Sequence, residues 1–408
     1  MKTPIASDVK TLAQSAMYPQ ESLLKVRDKN QRLAIVVPKE TETQEKRLAL
    51  TPDAVALLIN NGHEVAVQAG AGNPSKFADN EYSEAGARIV YSAKEAYEAG
   101  NVIMKVHPPS LEEIELMQSG SVLFSALQMT QLNEDYIHAI NNKKITGVAF
   151  ELLEDEVGGM PIVRAMSEIA GSTVMLVAAE YLNSNNNGRG IILGGITGVP
   201  PTKVVILGAG TVAEYAARTA MGLGAEVKIF DNQIYKLRRI KENLGHQLFT
   251  STIDLANLGD ALRRADVVIG ALRAEEGRSP CVVSEEMVST MKPNSVIVDV
   301  SIDQGGCFET SRITSHSSPI FKRYDVIHYC VPNIASRVAH TGTTALSNIL
   351  APMLLMASDF GGFEEMIFNK PWFMKSVYSY KGGLTSKMIA KRLNIRHKDL
   401  SLLRLPRY

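Results

Sequence analysis

Residues 203–232 read KVVILGAGTVAEYAARTAMGLGAEVKIFDN, and this run decides the fold. Residues 203–207 spell a buried strand, Gly208-Ala209-Gly210 a tight turn, and 211–223 a helix. A second strand over 226–230 ends in Asp231. Gly208 permits the turn, and Gly210 lets the backbone approach a pyrophosphate that rests on the amides opening the helix. Ala213 keeps the third position small, so helix and strand still pack closely. Asp231 is placed to accept hydrogen bonds from both hydroxyls of an adenosine ribose and to repel a 2′-phosphate, so the expected cofactor is NAD rather than NADP. The plain alternative is a strand-turn-helix corner whose glycines serve shape alone. The acid closing the second strand weighs against it.

Outward from this run the chain alternates strand and helix. Strands are expected over 33–37, 64–68, 89–91, 102–106, 122–125 and 146–150, then over 204–207, 227–230, 267–270 and 296–300. A helix over 52–60 opens with Thr51 as N-cap and proline at the first helical position. Such alternation gives an α/β protein with two Rossmann-like, doubly wound parallel sheets. The linker Asn183-Ser184-Asn185-Asn186-Asn187-Gly188-Arg189-Gly190 is the clearest break. The expected organisation is an N-terminal extension over 1–31, a catalytic domain over 32–162 plus 342–408, and an NAD-binding domain over 163–341. The catalytic domain is therefore discontinuous. Gly70-Ala71-Gly72 also spells GxG, but Asn73, Pro74 and Ser75 follow it, so it reads as a turn.

Lys plus Arg equals Asp plus Glu at 43 each, so charge gives no reason to expect nucleic acid or an anionic membrane as partner. The apolar stretch 169–182 carries Glu180 and reads as a buried helix rather than a membrane span. The three cysteines, Cys281, Cys307 and Cys330, form no CxxC pair, which suggests a reduced, cytoplasmic setting. No metal is expected.

Ligands of open α/β sheets bind beyond the carboxyl ends of the strands. Arg47, Lys105, Gln128 and Asp303 all stand at or just after expected strands. A guanidinium can hold a carboxylate through two parallel bonds, and an ammonium can polarise a carbonyl. A carboxylate such as Asp303 can manage protons on nitrogen and on attacking water.

The stretches EKRLALTP (45–52), GHEVAVQAGAG (62–72), VIMKVHPP (102–109), AMSEIAGS (165–172), GGITGVPPTKVVILGAGT (194–211) and MKPNSVIVDVSIDQGGCFE (291–309) resemble alanine dehydrogenases. That family shares its fold with the NAD(H)-binding subunit of proton-translocating transhydrogenase. The resemblance implies reversible, NAD-dependent deamination of L-alanine to pyruvate and ammonia in a homo-oligomer, often a hexamer. It implies Arg47 and Lys105 as substrate ligands and Asp303 as a catalytic group. It places cofactor contacts at Ser167, Gly208, Ala209, Gly210, Thr211, Asp231, Lys236, Ala271, Leu272 and Asn333. One departure stands out: Gln128, in LFSALQMT, occupies the place of the family's catalytic histidine. Glutamine can donate a hydrogen bond to a carbonyl, but it cannot exchange protons near neutral pH. The alternatives are a dehydrogenase or imine reductase for another small amino or 2-oxo acid, and a transhydrogenase-like module without turnover. His107, two residues past Lys105, is the nearest substitute for the missing histidine.

Overall fold

The structure, a computed structural model, describes residues 31–129, 132–273 and 278–403. The expected N-terminal extension lies almost wholly outside the described residues.

Strands β1 (Ala34–Val37), β2 (Glu64–Gln68), β3 (Arg88–Val90), β4 (Val102–Met104), β5 (Val122–Ser125) and β6 (Thr146–Ala149) run parallel. Their cores are almost entirely aliphatic because both sheet faces are covered. Strands β7 (Lys203–Leu207), β8 (Glu226–Phe230), β9 (Phe249–Ser251), β10 (Val267–Gly270) and β11 (Val296–Asp299) build a second parallel sheet. β12 (Ile320–Arg323) and β13 (Val326–Tyr329) form a hairpin at its edge, with β13 parallel to β11. β14 (Val377–Tyr380) and β15 (Gly383–Leu384) return to the first sheet, antiparallel beside β6.

The strand orders are β15-β14-β6-β5-β4-β1-β2-β3 and β12-β13-β11-β10-β7-β8-β9. Each sheet winds in both directions from its first strand. The order therefore reverses between β1 and β4 in one sheet and between β7 and β10 in the other. A crevice opens at such a reversal, beyond the carboxyl ends of the two strands. Arg47 follows β1 and Val106 follows β4. The Gly208–Gly210 turn follows β7, and Ala271 follows β10.

Two long helices join the lobes. Pro161–Leu182 leads out and Ala339–Asp359 leads back. The first is longer than the expected stretch 169–182, because Pro161 starts it. By length and composition it could cross a membrane, yet much of it is packed inside the protein. Gly171 explains the closeness: a Cβ there would lie 2.4 Å from the carbonyl oxygen of Val212, on the neighbouring helix. Gly70-Ala71-Gly72 forms a turn before a short 3-10 helix, with the Gly70 amide held by Asp79.

Candidate active site

The nucleotide side is built from the first described motif. Gly208 has φ +109°, and a Cβ there would sit 2.4 Å from the carbonyl oxygen of Ala271. Only glycine satisfies both demands. Asp231 is buried, accepting the Ala209 amide at 2.8 Å through one oxygen and the Gln233 amide at 2.8 Å through the other. Its carboxylate thus ties the turn to the end of β8 while keeping further lone pairs. Helix Thr211–Gly222 starts at Gly210 with no side chain capping its first amides, among the described residues. Nothing lies within 4 Å of a Cβ built on Gly210. Uncapped amides under open space are what a pyrophosphate requires, so these residues fit the adenine dinucleotide that the motif implies.

Next to this turn lies a cavity of about 300 Å3, lined from both lobes. Val106, Ala126 and Arg47 enter from the first lobe, and Ala271, Leu272, Asp303 and Asn333 from the second. Ser167 lines it from the connecting helix, its hydroxyl donating to the Val163 carbonyl at 2.7 Å. Lys236 is half-buried on helix Ile234–Leu244 and does not line the cavity.

Arg47 is buried and gripped by Glu45. Nε and Nη2 donate to the two carboxylate oxygens at 2.8 and 2.7 Å, and Nη1 contacts the Met166 sulfur at 3.0 Å. Glu45 occupies the inner edge of the guanidinium, so the edge between Nη1 and Nη2 is available to a second carboxylate. Burial pushes Glu45 up, but the charge and hydrogen bonds of Arg47 prevail and hold it below its usual range. The Asn333 amide side chain donates to Glu45 at 2.8 Å, while its backbone N–H donates to Asp303 at 3.1 Å. One continuous chain, Arg47–Glu45–Asn333–Asp303, thereby crosses from lobe to lobe. Burial raises the Asp303 carboxyl to about 6, opposed by the Asn333 amide and the Arg47 charge.

Lys105 does not reach this cavity. Its side chain is 1% exposed, with Nζ 2.8 Å from Glu113 and 3.3 Å from Glu40. Backbone alternation gives the reason: Val106 turns into the cleft, so its two neighbours turn away. His107 instead lines a second cavity of about 280 Å3, together with Thr41, Gln128, Asn133 and Tyr136. Gln128 is thus displaced from Arg47 and Asp303 into the neighbouring cavity. It has φ +47°, and its amide and that of Leu127 both donate to Glu151 at 2.9–3.0 Å. Glu151 lines the cleft and was not foreseen. Nor were Glu40, Glu45 and Glu113. Glu113 does carry a signal, since Ser110-x-x-Glu113 is a capping box, with Ser110 accepting the Glu113 amide and Glu113 the Ser110 amide. Among the described residues no group of three or more His, Cys, Asp or Glu is placed to hold a metal.

Known proteins resemble the chain over both lobes. Residues 36–170 match the family described as alanine dehydrogenase/PNT, N-terminal domain, and residues 174–387 match its C-terminal domain. Alanine dehydrogenase of Methanococcus maripaludis is 38% identical over 360 residues, covering 88% of this chain and 96% of that relative. Its counterpart in Bacillus subtilis is 37% identical over 366 residues, covering 90% and 96%. A solved L-alanine dehydrogenase superimposes with a TM-score of 0.82 at 35% identity, covering 88% of this chain and 98% of that one. A transhydrogenase from Sinorhizobium meliloti gives 0.75 at 26% identity, covering 86% and 99%. The two-lobed fold, the glycine turn and the sequence likeness over both lobes lead to one conclusion: the chain belongs to the alanine dehydrogenase/PNT family.

Proposed function

We propose that this protein is an NAD-dependent alanine dehydrogenase, interconverting L-alanine with pyruvate and ammonia. The observation that carries the reading is the meeting of Arg47 and Asp303, from opposite lobes, in one cleft beside the glycine turn. The outer edge of Arg47 holds the substrate carboxylate, exchanging its Met166 contact for two charged hydrogen bonds. Glu45 and Asn333 keep that edge aimed into the cleft. NAD, when bound along the second sheet through the Gly208–Thr211 turn, Asp231, Ala271 and Leu272, supplies the hydride acceptor. Asp303, ionised above about 6, accepts one proton from the substrate ammonium and passes it to solvent before the hydride leaves. It then takes one from the water attacking the resulting iminium carbon and returns it to the nitrogen, and ammonia departs with the hydroxyl proton as the keto group forms. Ser167 and Asn333 border the same space. With Lys105 paired inside the first lobe and Gln128 in the adjoining cavity, the proton work falls to Asp303. Family membership supports a cytoplasmic homo-oligomer, a hexamer in related enzymes.

The test is turnover by the purified protein given NADH, ammonium and a panel of 2-oxo acids, followed by NADH absorbance. Consumption with pyruvate supports the reading. Consumption only with other acids replaces the substrate, and tight NADH binding without any consumption replaces the function.

A further inference from the structure

Glu40 lies behind the cleft, and no step so far uses it. It sits on the loop after β1, with its side chain 5% exposed. One oxygen accepts the Val106 amide at 2.6 Å. The other accepts the His107 amide at 3.3 Å and faces Lys105 Nζ at the same distance. Lys105 is the sole cation in contact with Glu40 among the described residues, and it is shared. Glu113, from helix Leu111–Leu116, holds the same ammonium at 2.8 Å and also accepts the Tyr97 hydroxyl at 2.9 Å. Two carboxylates therefore divide one buried positive charge. On its own loop Glu40 lies within electrostatic range of Glu45, which repels it, and of Arg47, which attracts it. From helix Ala93–Ala99 the Tyr97 phenol also feels its charge.

We propose that Glu40 is a positioning residue of the cleft that takes up a proton when an anionic substrate seats on Arg47, relieving the excess of buried negative charge. The inference rests on the dehydrogenase reading for the identity of that substrate, a 2-oxo acid. In the free protein Glu40 is already poised: burial raises its carboxyl to about 7, against the pull of Lys105 and the Val106 amide and with the push of Glu45. A carboxylate arriving on Arg47 satisfies part of the charge that had steadied Glu40 and adds its own. Both changes favour the protonated form. A protonated Glu40 still accepts the Val106 amide, so the end of β4 keeps its shape. The uptake is a proton equilibrium only, and no bond of the substrate changes in it.

Two measurements test this on the full-length wild type and on Glu40→Gln, which retains an acceptor oxygen. Difference infrared spectra of the ligand-free protein, taken below and above neutrality, should contain a protonated-carboxyl band in wild type that Glu40→Gln lacks. Calorimetry of oxamate binding to the NADH-loaded protein, in buffers of differing ionisation heat, should show proton uptake that falls at least twofold in Glu40→Gln. Glu113→Gln should move the alkaline limb of kcat/KM for the 2-oxo acid, distinct from the acid limb of Asp303, towards acid, because Lys105 then serves Glu40 alone. A purely structural role would not produce that shift. Equal proton uptake in wild type and Glu40→Gln, a missing infrared band in wild type, or no oxamate binding overturns the proposal. Oxamate binding with the expected uptake but no turnover of any 2-oxo acid would overturn the dehydrogenase reading and leave Glu40 in its role.

Discussion

Replacing Glu45 by alanine should damage the fold and the site together, by an amount the geometry sets. The Glu45 side chain is 1% exposed and that of Arg47 10%. Its removal orphans Arg47 Nε, Arg47 Nη2, the Arg47 amide and the Asn333 side chain amide. Breaking a buried ion pair by deleting one partner costs about 3–5 kcal/mol, because the surviving charge is left unpaired in a poor solvent. At roughly 2–4 °C per kcal/mol for a domain of this scale, the first lobe should melt roughly 6–20 °C earlier. Thermal unfolding by calorimetry, with each transition followed separately, is the assay. The double variant Glu45→Met/Arg47→Met separates charge from packing. It should regain most of the lost stability, since similar-sized apolar side chains commonly replace a buried pair without loss. It should still lack activity, since no guanidinium is left for the substrate. If Glu45→Ala melts within a few degrees of wild type, or if the double variant is no better than the single, the pair is not buried as described.

Four further outcomes follow from the same geometry. Asp303→Asn should lower kcat by roughly 100-fold or more while NADH still binds by fluorescence titration. The wild-type rate should fall as pH drops through about 6, since the working form is the carboxylate and acid protonates it, and this limb should vanish in the variant. Gly208→Ala should weaken NADH binding and lower the melting point of the second lobe, because its Cβ meets the Ala271 oxygen at a positive φ. Asp231→Ser should move the ratio of kcat/KM for NADH over NADPH towards NADPH, and an unchanged ratio would remove Asp231 from the ribose. Gln128→His should give at most a small change in rate and no new limb near the imidazole pKa of about 6.5, because residue 128 lines the neighbouring cavity. A large gain with such a limb would place residue 128 at the reacting carbon.

The central strands were legible because aliphatic runs such as VVIL and VVIG sit between polar turns, and the glycine turn at 208–210 marks the corner from β7 into its helix. The edges were not. β9, β14 and β15 are two to four residues long, and β12 reads IFKR, half of it charged and exposed. A strand that short is defined by its partner rather than by its own periodicity. In the site, Arg47 and Asp303 could be read from their places after β1 and β11. Lys105 pairs with Glu113 and Glu40 beside the cavity, because strand ends identify a region while the face of the strand decides which way a side chain turns. The carboxylates that set the electrostatics act across long separations. Glu40 reaches an amide 66 residues away, and Glu151 one 24 residues away. No local pattern encodes such contacts. Only Glu113, through its capping box, left a mark in the sequence.

The central claim is that one cleft brings the dinucleotide and an anionic substrate together between the lobes. A crystal structure of the protein with NADH and oxamate tests it most directly. The account predicts oxamate carboxylate on the Nη1–Nη2 edge of Arg47, with Met166 displaced, Asp303 beside the nicotinamide, and the pyrophosphate over Gly210. Oxamate bound away from Arg47, or a dinucleotide lying anywhere but across the Gly208–Thr211 turn, would contradict it.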